Sequence, residues 1–153
     1  AQGHGRIINC SSVLGLVALK WRGAYVATKF AMEGLTDVLR IEMSDTPIKV
    51  ILIEPGPIGT AIREKAIPHF ERWIDWENSA RAEQYIALRQ RLYQAAPPDT
   101  WELPAAAVTA KLIHALESPR PRARYYVTMP THLMGFLRRI LPTRLLDWVI
   151  AKG

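Results

Sequence analysis

Apolar residues gather along the chain in short unbroken runs, separated by longer stretches in which they recur every three or four positions. Arg6-Ile7-Ile8-Asn9-Cys10 and Lys49-Val50-Ile51-Leu52-Ile53 are runs without alternation, the pattern of strands buried on both faces of a parallel sheet. Between them, from about Gly23 to Ser44, Ala27, Ala31, Gly34, Leu35 and Val38 fall at helical spacing. Such a stripe of small and apolar residues lets a helix lie close against a neighbour. Strand, helix and strand in that order predict a right-handed crossover in a parallel sheet. Pro55 and Pro57 end the second strand, because proline offers no N–H to a ladder.

Farther on, Ala61 to Thr100 is polar and aromatic by turns, placing Phe70, Trp73, Trp76, Tyr85 and Tyr93 on helices. Asn78 or Ser79 is the expected cap of the helix that runs toward Tyr93. Pro104 opens a further helix at a first-turn position, continuing through Ala105, Val108, Leu112, Ile113 and Leu116 to about Glu117. His114 falls on it as a core or flank residue. Pro119 to Arg124 reads as a rigid charged connector, Tyr125-Tyr126-Val127-Thr128 as the last strand, and Leu133 to Ile150 as leucines mixed with arginines around Pro142.

Two segments read as loops. Residues 1–5 are glycine-rich and carry His4, expected in solvent. Val13 to Arg22 carries Leu14, Leu16, Val17, Leu19 and Trp21, which either pack under the helix or line a pocket for an apolar substrate. Cys10, ending the first strand, is expected to behave as a small buried hydrophobe.

Charge narrows the classes of function. The 153 residues carry a net charge of +6, with a pI near 9.8, a balance that can signal nucleic acid or anionic membrane. The arginines spread along helices and gather only near the end, at Arg120, Arg122, Arg124, Arg138, Arg139 and Arg144, without zinc-ligand spacing or an aromatic platform. A basic enzyme surface is expected, with no nucleic-acid partner and no metal site. A single cysteine makes no intrachain disulfide. No apolar run reaches the roughly 18 residues of a spanning helix, so a cytoplasmic location is expected. The tail at 133–150 is either a packing element or an interfacial segment in peripheral contact with membrane.

The chemistry centres on Gly23-Ala24-Tyr25-Val26-Ala27-Thr28-Lys29. Four positions apart on a helix, Tyr25 and Lys29 share one face. A phenol titrates at about 10 and is a poor proton donor or acceptor at neutral pH unless a nearby cation favours its phenolate. So tuned, it can give a proton to a developing alkoxide or take one from an alcohol. Thirteen residues before Tyr25, the first strand delivers Ser11 and Ser12 at its carboxyl end, where parallel α/β sheets place their sites.

Asn9-Cys10-Ser11-Ser12-Val13-Leu14-Gly15, then Tyr25-x-x-x-Lys29, then Glu54-Pro55-Gly56-Pro57-Ile58-Gly59-Thr60 together resemble the short-chain dehydrogenase/reductase family, in its order and spacing. The connector and last strand look like the retinoid and hydroxysteroid branch and its bacterial aldehyde-reducing relatives. The resemblance implies an α/β fold with a doubly wound parallel sheet. The chain begins in mid-pattern at Ala1 and holds no glycine-rich phosphate-binding fingerprint. It is therefore expected to be the C-terminal half of such a Rossmann fold, about three strands with flanking helices, with the N-terminal half absent. Residues 1–153 are then a partial NAD(P)-binding domain, with 61–100 a substrate lid and 130–153 a C-terminal tail.

The resemblance also implies roles. Ser12, Tyr25 and Lys29 would be catalytic: Ser12 polarising the carbonyl oxygen, Tyr25 the general acid-base, Lys29 lowering the phenol's pKa and holding the cofactor ribose. Ser11 would be structural. Tyr25, Lys29, Pro55, Gly56, Ile58 and Thr60 would bind NADP or NAD, with NADP favoured. The expected reaction interconverts a carbonyl and an alcohol on an apolar aldehyde, retinoid or steroid-like substrate. A homo-oligomer is expected at full length, with Phe30, Leu39 and Met43 meeting a partner chain. This chain alone is expected to be incomplete and inactive. The alternative is a non-catalytic truncated fragment that acts at most as a binding or dimerisation module.

Overall fold

The computed structural model describes residues 3–93 and 100–152. The N-terminal end of the expected opening loop, positions 94–99 of the expected lid, and residue 153 of the tail lie outside them. The chain forms two compact units, one of residues 1–58 with 101–153 and one of residues 59–100.

The first unit is built on three parallel strands, β1 (Gly5–Cys10), β2 (Ile48–Glu54) and β3 (Arg124–Tyr126), in the order β1-β2-β3. Gly5 stands opposite Ile48 and Cys10 opposite Ile53, while Leu52, Ile53 and Glu54 face Arg124, Tyr125 and Tyr126. This is the parallel α/β sheet expected of the C-terminal half of a doubly wound fold. The central strand carries the core: Val50, Ile51, Leu52 and Ile53 are all buried, each such side chain contributing about 1.5–3 kcal/mol.

Alternation along β2 divides the two faces. Ile51 and Ile53 cluster with Tyr125, Val127 and Ala115 of helix α4 (Ala105–Glu117). Glu54, and Arg124 on β3, address the opposite face, where helix α1 (Gly23–Glu42) brings Glu33 and Asp37. Two side-chain bridges hold β1 in this frame. Asn9 Nδ2 donates to Thr36 Oγ1 at 2.8 Å, tying β1 to α1. The Arg6 guanidinium reaches the carbonyls of Ala115 and Ser118 at 2.6 and 2.7 Å, satisfying the open end of α4 where the helix dipole favours a cation.

Several expectations change. β1 is not buried on both faces: it pairs with β2 alone among the described residues, Ile7 is exposed, and Cys10 is exposed rather than a buried hydrophobe. The cause is the uncovered outer edge of the strand. On α1 the buried positions are the polar Glu33 and Thr36. The stripe of Ala27, Ala31, Gly34, Leu35 and Val38 faces outward, with open space beyond Gly34, whereas Phe30, Leu39 and Met43 are half-buried. The stripe has the right period but lies on the side away from the sheet. Helix α4 likewise packs through Ala107, Val108 and Ala115, leaving Leu112, Ile113 and Leu116 exposed. It begins one residue after Pro104, which is its cap. His114 lies on its exposed side, with Nδ1 2.8 Å from the Tyr125 hydroxyl. The last strand is shorter than expected because Thr128 already caps helix α5 (Met129–Ile140). Helix α6 (Thr143–Lys152) follows.

The second unit holds helices α2 (Ile62–Trp73) and α3 (Ala82–Tyr93), which pack on each other. Glu71 accepts hydrogen bonds from Arg89 at 2.7 Å and the Tyr93 hydroxyl at 2.9 Å. The Arg89 guanidinium lies over the rings of Trp76 and Tyr93, and Phe70 meets Tyr85 with ring centroids 6.2 Å apart. Of the two cap candidates, Ser79 accepts from the Arg81 N–H, whereas Asn78 donates to Asp75. Among the described residues no helix is long and apolar enough to cross a membrane.

Candidate active site

The carboxyl ends of β1 and β2 are laced together. The Ser11 N–H donates to the Ile53 carbonyl at 2.8 Å, and the Val13 N–H donates to the Pro55 carbonyl at 2.7 Å. Ser12 is thereby held between two backbone anchors, against the turn that follows β2. Its extended backbone (φ −168°) lets its hydroxyl oxygen accept the Leu14 N–H at 3.1 Å, capping a short 3-10 turn over Val13–Gly15. The hydroxyl proton remains available to an acceptor, since only the oxygen is engaged. Ser11 is also buried, but its hydroxyl has no hydrogen-bond partner among the described residues.

Helix α1 brings the other two residues to this end of the sheet. Lys29 Nζ donates to the Cys10 carbonyl at 2.9 Å and stands 5.6 Å from the centroid of the Tyr25 ring. Tyr25 is 38% exposed, so its phenol is open to a substrate. The helix starts abruptly: Trp21 has a positive φ of 66°, and Arg22 provides no side-chain cap. A bulky residue in the left-handed region is strained backbone, and it lies four positions before Tyr25. In the preceding loop Leu16 and Val17 are buried while Leu19 and Trp21 are exposed. Of the two readings of this loop, packing describes Leu16 and Val17. Leu16 also borders a cleft of about 350 Å³ with Phe30, Gly34, Asp37 and Arg138.

Ser12, Tyr25, Lys29, Pro55, Gly56 and Ile58 all belong to the first unit; Thr60 is exposed in the second. The residues present suit the ribose end of a dinucleotide. Lys29 uses one N–H on Cys10, leaving two donors on an accessible ammonium beside an accessible phenol. Gly56 answers a different demand. A Cβ there would come within 2.7 Å of Thr131 Oγ1 and still closer to Thr128 Oγ1, so glycine is required by the packing of the turn on the start of α5. Gly56→Ala is expected to cost about 1–3 kcal/mol, as overpacking does. Thr128→Ala in the same chain should recover part of it, and urea midpoints of the single and double variants check this.

The largest electrostatic feature has no counterpart in the expected site. Arg124 binds three carboxylates: Nη1 donates to Glu33 and Glu54 at 2.5 Å each, and Nη2 donates to both oxygens of Asp37 at 2.7 and 2.8 Å. Glu54 is fully buried, and among the described residues one of its oxygens and one of Glu33 have no hydrogen-bond partner. Burial, and then the neighbouring Glu33 charge, push Glu54 up to about 8 despite Arg124. For Asp37, burial acts upward, but the hydrogen bond from Arg40 and the charge of Arg124 outweigh it and hold the group below its usual value. Glu54 immediately precedes the Pro55-Gly56-Pro57 turn, so this cluster anchors the turn from beneath. Its signal in the sequence was a carboxylate at the end of an otherwise apolar strand, which in a buried sheet demands a cation.

Comparison with known proteins gives a consistent family. Residues 1–70 match the family model described as short chain dehydrogenase. The chain is 36% identical over 148 residues to the uncharacterized oxidoreductase YbbO of Escherichia coli K12, covering 97% of this chain and 49% of that protein. It is 32% identical over 155 residues to 17-beta-hydroxysteroid dehydrogenase type 6 of Rattus norvegicus, covering 98% and 49%. The crystal structure of a Burkholderia cenocepacia J2315 short chain dehydrogenase in complex with NADP superposes with a TM-score of 0.64 at 19% identity, covering 97% of this chain and 48% of that one. The chain thus spans about half the length of the curated relatives it matches.

Proposed function

The chain belongs to the short-chain dehydrogenase/reductase family, and from that premise we propose that it carries the proton-handling side of a nicotinamide-dependent carbonyl–alcohol oxidoreductase. The observation that supports this most is the Lys29–Cys10 hydrogen bond. It supports the reading by tying the tyrosine helix to the end of the strand that leads into Ser12. In the reductive direction the Ser12 hydroxyl donates a hydrogen bond to the substrate carbonyl oxygen and polarises it, keeping its own proton. Tyr25 then gives its phenolic proton to the developing alkoxide, and the Lys29 ammonium stabilises the phenolate that remains. NADP or NAD would be held through Tyr25, Lys29 and Ile58 and, when bound, would supply the hydride or accept it. The NADPH dependence named for a reductase 31% identical over 153 residues favours NADP. We assign an apolar substrate, an aldehyde, retinoid or steroid-like carbonyl, on the steroid activity named for the rat relative and on the aromatic content of residues 61–100.

The serines provide the test. Ser12→Ala is expected to lower kcat for reduction of an aliphatic aldehyde with NADPH by on the order of a hundredfold, as loss of one oxyanion donor does. Ser11→Ala should leave kcat nearly unchanged, because removing a buried hydroxyl without a partner among the described residues relieves a cost rather than creating one. A larger loss at Ser11 than at Ser12 defeats the assignment.

A further inference from the structure

The outward side of α5 is apolar where a surface helix should be polar. The helix faces the sheet with small and polar residues: Thr131 is buried, Gly135 lies against the Tyr126 ring, and Arg138 donates to the Gly15 carbonyl at 3.2 Å. Opposite them, at spacings of three or four, stand Met129, Leu133, Phe136 and Ile140, between 49 and 61% exposed. Leu145 and Trp148 on α6 add exposed apolar area. A helix whose solvent side is its hydrophobic side leaves a patch in want of a partner.

The charges near this patch select the partner. Helices α5 and α6 carry Arg138, Arg139, Arg144 and Lys152 against a single acid, Asp147. Arg139, Arg144 and Lys152 have no carboxylate partner among the described residues. The Lys152 ammonium sits 3.9 Å above the Trp148 ring. Two copies joined through this face would set these cations against their own kind. An anionic surface neutralises them and receives the apolar side chains as well. We propose that α5 and α6 form a monotopic docking site for an anionic phospholipid bilayer. Met129, Leu133, Phe136 and Ile140 enter the headgroup–acyl boundary, and Arg139, Arg144 and Lys152 lie among the lipid phosphates. At 12 residues, α5 is about 18 Å long, suited to lying in the interface plane rather than crossing it.

The test is co-sedimentation of the purified protein with vesicles of phosphatidylcholine alone and of phosphatidylcholine mixed with phosphatidylserine. Binding is expected only to the anionic vesicles, and to weaken with added salt. Arg144→Gln with Lys152→Gln should lower the partition coefficient roughly thirtyfold, each cation near the surface contributing about a factor of five. Leu133→Ser with Phe136→Ser should lower it further at unchanged circular dichroism. Brominated acyl chains should quench the wild-type fluorescence, and Trp148→Phe should abolish most of that quenching, a readout that does not depend on the serine variant folding. Absence of binding overturns the proposal, as does binding without Trp148-dependent quenching. Concentration-dependent dimerisation that Leu133→Ser with Phe136→Ser removes would assign the face to a second copy instead.

Discussion

Replacing Tyr25 by phenylalanine is expected to remove nearly all turnover from the protein that carries this chain, by at least about a hundredfold and up to about ten-thousandfold, the range ascribed to positioned acid–base groups. Cofactor affinity should stay close to wild type. The substitution deletes one ionisable oxygen on an exposed ring and leaves α1, Lys29 and the Lys29–Cys10 bond in place. Lys29→Ala differs in kind. It withdraws the cation that stabilises the phenolate and one that can hold a ribose, and it frees the Cys10 carbonyl, so kcat and cofactor affinity should fall together. Steady-state rates paired with fluorescence titration of NADPH separate the two. A Tyr25→Phe enzyme with turnover within a few-fold of wild type would overturn the acid–base assignment, and an unchanged cofactor Kd in Lys29→Ala would remove the second role of the lysine.

Arg124→Met should cost about 3–5 kcal/mol of stability, the usual result of removing one partner from a buried ionic cluster. Glu54 and Glu33 would then share a dry interface with no cation between them. The loss should also depend on pH. In the wild-type protein Glu54 is raised from 4.5 to about 8, so its protonated form is the one the fold favours. That contribution is complete below the unfolded value and is lost as pH rises through about 8. Asp37 has the opposite sign: its folded value is lowered, so its contribution is present above the unfolded value and disappears in acid. Between the two regimes the wild type should lose stability on going from about pH 6 to about pH 9. Arg124→Met should steepen that decline, because deprotonating Glu54 is harder still without the guanidinium. Glu54→Gln should flatten it. Urea unfolding at both pH values measures all three slopes; a wild-type slope equal to that of Glu54→Gln would show that Glu54 does not carry the buried proton.

The sequence by itself determined the parts that depend on local order. The β-branched run before Pro55 makes a strand wherever it sits, and two prolines end it. Four-residue spacing puts Tyr25 and Lys29 on one face of α1. The distance from the serine strand to that helix is set by chain length alone. These are short-range properties, carried by backbone geometry and side-chain period, and they were enough to point to the family.

Tertiary structure decided which side of each element is buried, because period marks a stripe but does not say what covers it. The small-residue stripe of α1 has helical spacing and nonetheless faces outward, while Glu33 and Thr36 are buried. Cys10 ends an apolar strand and is exposed, since β1 has one neighbour among the described residues. By resemblance Gly56 belongs to the cofactor-binding turn; only the fold adds that Thr128 and Thr131, more than seventy positions away, occupy the space a Cβ would need. The cluster of Arg124 with Glu33, Asp37 and Glu54 joins residues separated by as many as 91 positions. A carboxylate ending an apolar strand signals that a cation is needed, but no local pattern names the partners, because a guanidinium recognises carboxylates through space, and the sheet and helix must be packed before those groups can meet.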